Sequence, residues 1–160
     1  MTYIHPTAII YPNVVIEEDC YIGPYCIIGA PAEWKGHEHE SKGVRIGAGS
    51  RLTGLVTVDA GAERPTVIGK NCYLMKHSHV GHDAILSNNV TLSCGAKVGG
   101  HAIIDTNCNI GLNAVIHQRV YVPSGCMIGA SAFIGKKTIL QPYRKYAGVP
   151  AKDIGENIIP

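Results

Sequence analysis

In IGKNCYLMKHSHVGHDAIL, residues 68–86, a branched aliphatic returns at every sixth position: Ile68, Leu74, Val80 and Leu86. The rhythm continues through Leu92, Val98, Ile104, Ile110, Ile116, Val122, Ile128, Ile134 and Leu140. Four residues after each aliphatic comes a smaller side chain, among them Cys72, Ser78, Ala84, Ala96, Ala102, Cys108 and Cys126. A period of six fits neither the 3.6-residue helix nor the alternation of a hairpin-built sheet. It fits a solenoid of short strands meeting at corners, each coil burying its apolar side only against its neighbours.

The same register opens the chain at Ile4, Ile10, Ile16, Ile22 and Ile28, with Pro6, Pro12 and Pro24 at corner places where a missing N–H costs least. It breaks at 30–45 (APAEWKGHEHESKGVR), returns at Ile46, Leu52 and Val58, and breaks again at 59–67. Gly and Asn recur between the aliphatics (Gly69, Asn71, Gly81, Asn89, Gly99), as sharp corners require. The pattern resembles the hexapeptide-repeat proteins. That resemblance implies an all-β, left-handed parallel β-helix with three hexads, eighteen residues, per triangular coil. The handedness is implied by the resemblance alone, since parallel crossovers are otherwise right-handed. Twenty-one hexads then make about seven coils in a single domain over 1–160, with two ejected loops. Residues 141–160 are expected to cap the open edge of the last coil. That end is basic, carrying Lys136, Lys137, Arg144, Lys145 and Lys152.

With one Phe and one Trp, the core must be aliphatic, and a net charge of +2 gives no argument for nucleic acid. There is no apolar leader and no run long enough to span a membrane, so the expectation is a cytoplasmic protein. Five of the six cysteines (Cys20, Cys26, Cys72, Cys108, Cys126) fall in the small inward slot and no CxxC occurs, so they read as buried thiols.

On an eighteen-residue coil the histidines converge. Counting from Ile68 as zero, His82 takes place 14, His101 place 15 one coil on, and His117 place 13 on the next. Coils about 4.8 Å apart would set the three along one corner. Asp83 follows His82, His79 precedes it by three, and Gly100 lies directly over it. None is at an inward place. A base, a carboxylate to orient it and a side-chain-free N–H are what acyl transfer uses. An exposed polar ladder or weak metal binding are the competing readings of the same spacing, and His37-Glu38-His39-Glu40 reads as a solvated loop.

The stretches His79-Val80-Gly81-His82-Asp83, Gly100-His101 and His117-Gln118, with Asn71-Cys72-Tyr73-Leu74-Met75 and the opening IHPTAII, resemble the acyl-carrier-protein-dependent UDP-N-acetylglucosamine O-acyltransferases of lipid A synthesis. The similarity runs over about residues 2–150. It implies His82 as general base, Asp83 as its orienting carboxylate and the Gly100 N–H as oxyanion donor. His79, His101, His117 and Gln118 would contact the sugar nucleotide or thioester, and Glu33 and Lys35 would match an acid and a lysine used near the substrate. It also implies a homotrimer with sites between subunits, acyl carrier protein as donor, no permanently bound cofactor and no metal. The sequence departs from that family in ending at Pro160 without a helical domain, and in Gly148-Val149-Pro150-Ala151-Lys152. That GVPAK form resembles acetyl-CoA-dependent sugar acetyltransferases of the same fold, so coenzyme A is the alternative donor. Two other classes share the fold. A γ-class carbonic-anhydrase-like zinc protein lacks ligands here, with Ser87 and Asp59 at the places of two histidines. A silent scaffold leaves the His–Asp–Gly set unexplained.

Overall fold

The structure is a computed structural model describing residues 1–159. The chain winds as a left-handed parallel β-helix with three faces. On the first face eight parallel rungs stack, from Tyr3–Ile4 to Arg144–Gly148; the second has seven, from Ile9–Ile10 to Phe133–Ile134; the third has six, from Val14–Ile16 to Tyr121–Val122. Six coils carry a strand on all three faces, a seventh carries strands on the first two, and the Arg144–Gly148 strand begins an eighth.

Register follows the hexads. On the second face Ile10, Ile28, Val58, Val80, Val98, Ile116 and Ile134 lie one above another. From Ile28 onward these side chains are sealed from water. Burying one aliphatic chain stabilises by about 1.5–3 kcal/mol, so the stack supplies most of the driving force one rung at a time. The cysteines of the small slots, Cys20, Cys26, Cys72, Cys108 and Cys126, are buried as expected, and Cys94 is exposed.

Corners are turned by the third residue after each inward aliphatic. Asn71, His77, Asp83, Asn89, His101, Asn107, Asn113, Arg119 and Ser131 all have φ between 54° and 64°. Asn and Asp enter this left-handed region with little penalty, whereas His101 and Arg119 hold it at some cost.

The hexad register outlasts the aliphatic one. Six residues after Leu140 stands Tyr146, fully buried and in register with Ile128. The terminal strands Arg144–Gly148 and Ala151–Glu156 then pair antiparallel and close the edge. Arg144 clamps Asp153 through two hydrogen bonds of 2.7 and 2.8 Å. Both interruptions are shorter than the sequence suggests, because Ala30, Val44, Arg45, Asp59, Thr66 and Val67 belong to strands. Both leave the rod between the second and third faces. The corner above them carries Gly81–Ala84, then Gly99–Ala102, then His117–Val120 on successive coils.

Candidate active site

On that corner His82 and Asp83 face each other despite being chain neighbours. The left-handed turn at Asp83 (φ 63°) folds the carboxylate back, so His82 Nδ1 lies 2.7 Å from Asp83 Oδ2. The second loop wraps beneath. Backbone N–H groups of Glu63 and Arg64 donate to Asp83 Oδ1, both at 2.8 Å, and that of Ala62 to Oδ2 at 3.1 Å. Thr66 Oγ1 accepts the Asp83 N–H at 2.9 Å. Burial pushes the Asp83 carboxyl up, but the Arg64 N–H, His82 and the N–H groups of Ala62 and Glu63 outweigh it and hold it at about 2. Asp83 is therefore ionised and accepts only. In neutral His82 the proton sits on Nδ1, and Nε2 keeps its lone pair.

Gly100 lies against the His82 ring at its Nε2 end. A Cβ there would fall 2.6 Å from His82 Nε2, so only glycine leaves the space open. The Gly100 N–H donates to no acceptor among the described residues, whereas the next one, of His101, binds the His82 carbonyl at 2.9 Å. His101 sits over Asp83 and meets the His82 ring edge-on, centroids 5.2 Å apart. Its Nε2 is buried without a hydrogen bond, 3.6 Å from Asp83 Oδ2 and 3.8 Å from Glu63 Oε2. Burial lowers its pKa.

These residues lie along the corner but are not open to water, as an outward projection would have made them. The side chains of His82 and His101 are 13% and 10% exposed, and Asp83 is sealed. The cover is the first loop. Trp34 stacks on His82 with centroids 5.2 Å apart and planes 18° apart, and His37 stacks on its other side at 3.8 Å. His37 thus leaves the solvated-loop reading, while Glu38, His39 and Glu40 stay exposed.

His79 faces a neighbouring cavity of about 530 Å³ with Glu33, Thr57, Asp59 and Lys97. Its Nδ1 is 2.7 Å from Thr57 Oγ1 and its Nε2 is 3.7 Å from Asp59 Oδ2. Burial, then the nearby charge of Glu33, lifts Asp59 to about 7, and burial lowers His79. Lys97 Nζ is spent on the carbonyls of His77 and Gly95. His117 and Gln118 lie further up the corner. His117 lines a separate cavity of about 690 Å³ with Phe133, Lys136, Lys137, Ile139 and Lys152. Gln118 is exposed, its carbonyl 3.0 Å from His117 Nδ1. Lys35 is exposed and makes no hydrogen bond or ion pair among the described residues.

His82, Asp83 and His101 offer ligand atoms within 4.8 Å of one another. A carboxylate has about four acceptor positions, and those of Asp83 are already taken by three N–H groups and His82. The cluster fits an oriented base better than a metal cage.

The repeat and its corner define a hexapeptide-repeat β-helix. Residues 1–33 match the family described as bacterial transferase hexapeptide (six repeats). Across 83 residues the chain is 39% identical to the acyl-[acyl-carrier-protein]–UDP-N-acetylglucosamine O-acyltransferase of Psychrobacter sp. (strain PRwf-1), covering 52% of this chain and 26% of that one. The namesake from Campylobacter lari is 38% identical over 85 residues, 51% of this chain and 32% of that one. The chain thus spans about a quarter to a third of the length of these curated relatives. Among solved structures, the UDP-N-acetylglucosamine acyltransferase of Bacteroides fragilis superposes with a TM-score of 0.82 at 25% identity, over 97% of this chain and 75% of that one. The acetyltransferase domain of PglB from Neisseria gonorrhoeae gives 0.68 at 25% identity, over 96% and 58%.

Proposed function

We propose that this protein transfers an acyl group from a thioester to a sugar, with a nucleotide sugar such as UDP-N-acetylglucosamine as acceptor. The observation that carries the reading is the His82–Asp83 pair with Gly100 against the Nε2 end of the ring, its N–H donating to no acceptor among the described residues. Nε2 takes the proton of the acceptor hydroxyl or amine as its oxygen or nitrogen attacks the thioester carbonyl. The Gly100 N–H receives the negative charge that develops on the carbonyl oxygen. Ionised Asp83 steadies the imidazolium, which returns its proton to the leaving thiolate. No enzyme-linked intermediate is needed. In this reading His79, His101, His117 and Gln118 contact the sugar nucleotide or the thioester, and Glu33 and Lys35 stand near the substrate from the first loop. The apolar outward residues of the third face, Val67, Ile85, Ile103 and exposed Tyr121, support packing against further copies in a homotrimer.

The donor is either an acylated carrier protein, as the names of the similar enzymes suggest, or acetyl-CoA. The acetyl-CoA variant is favoured by the GVPAK turn, which lies beside the 690 Å³ cavity. The deciding experiment incubates the protein with each donor across UDP- and dTDP-linked amino sugars and reads products by mass. Acyl transfer with neither donor to any sugar would reject the proposal.

A further inference from the structure

We infer that Trp34 is a positioning residue for His82, its indole fixing the imidazole plane so that Nε2 stays on the Gly100 side of the corner. The starting point is mechanical. Beyond its own Cβ, His82 is tethered at one atom, Nδ1, 2.7 Å from Asp83 Oδ2, and the ring can still tilt about the line joining those two attachments. Two surfaces remove that freedom. The edge contact of His101 comes from the rod itself, at 88° between planes. Among the aromatic rings of the described residues, only Trp34 lies face to face with His82, at 18°.

Trp34 is fixed in turn. Its other side is taken by His37 at 3.8 Å, and its edge meets His101 at 5.6 Å. The loop is pinned on both flanks, by buried Ala32 and by the 2.8 Å bond from the His37 N–H to the Trp34 carbonyl. The indole is thus already stacked on two imidazoles. Its contribution is carried through His82. The role rests on the acyl-transfer reading above, whereas the stacking itself does not.

Placement errors of about 1 Å at a reacting group can cost up to roughly 100-fold in rate. The test pairs kinetics with an activity-free measurement on Trp34→Leu and Trp34→Phe, both checked for unchanged thermal unfolding. Trp34→Leu is expected to lower kcat roughly 10–100-fold with KM little changed, and Trp34→Phe to recover most of it. In proton–carbon NMR spectra of the imidazoles, the His82 ring signals should lose the upfield displacement imposed by the indole in Trp34→Leu and keep part of it in Trp34→Phe. An unchanged kcat, or a raised KM with unchanged kcat, overturns the positioning role. His82 signals that ignore the loss of the indole overturn the stacking, even if no donor supports turnover. Turnover absent from the unsubstituted protein, with the signals displaced as expected, removes the acyl-transfer reading and the positioning role with it.

Discussion

His82 Nδ1 and Asp83 Oδ2 stand 2.7 Å apart although the two residues are adjacent in the chain. In an extended strand their side chains would point to opposite sides. The left-handed φ of 63° at Asp83 reverses that, and the repeat demands such a conformation at every third place after an inward aliphatic. The corner geometry that winds the rod therefore also brings the His82 imidazole and the Asp83 carboxylate together. His82→Ala removes only the ring, leaving the Asp83 carboxylate with its three N–H donors. Folding should persist and turnover should fall by roughly 10²–10⁴, measured by product mass alongside thermal unfolding.

Asp83→Ala should behave differently, because it strips the acceptor from three N–H groups of the second loop in a sealed site. Each orphaned buried donor costs about 1–3 kcal/mol, so a stability loss of roughly 3 kcal/mol or more is expected in denaturant titration. Asp83→Asn keeps an acceptor oxygen and should lose much less stability. Equal losses in both variants would show that the amide cradle contributes little to the fold.

Gly100 does not lie in the left-handed region, so a side chain is refused there by space alone. Gly100→Ala places a Cβ where it would fall 2.6 Å from His82 Nε2, and Gly100→Val fills the space above the base. Turnover should fall steeply, more in Val than in Ala, while acceptor binding weakens and the fold survives. Undiminished rates would mean that the acceptor reaches His82 from another side.

The rod was legible in the sequence because stacking turns arithmetic into adjacency. A separation of eighteen puts Gly100 over His82 and His101 over Asp83, so positions in one coil report neighbours in the next. Tyr146 escaped that reading because an aromatic holds an aliphatic's place, so the repeat seemed to end at Leu140. The ejected loops were opaque for a deeper reason. They have no period, so nothing in their order tells that Trp34 comes to rest on His82 or that the amides of 62–64 cradle Asp83. One clue was available: both loops interrupt the hexads at the place that His82 occupies one and two coils later.

The cavity that His79 shares with Asp59 and Glu33 gives a pH dependence of defined sign. Asp59 has a pKa of about 7 in the fold against 3.8 for the unperturbed group, because burial and the charge of Glu33 both disfavour its ionised form. The folded chain then holds a proton on Asp59 between those values that the unfolded chain has released. Protonation favours the folded form, so this contribution is full below about pH 4 and is lost as pH rises through 7. Asp59→Asn removes the ionisable group. Relative to the unsubstituted protein it should gain stability as pH climbs from 4 to 8 and level off above, by at most about 4 kcal/mol. Glu33→Gln should give a smaller gain in the same direction, because it lifts the charge repulsion and leaves the burial. Thermal unfolding of the three proteins at pH 5, 7 and 8.5 reads the difference. A gain that shrinks as pH rises would mean that Asp59 is ionised throughout, held by His79 at 3.7 Å rather than destabilised by its burial.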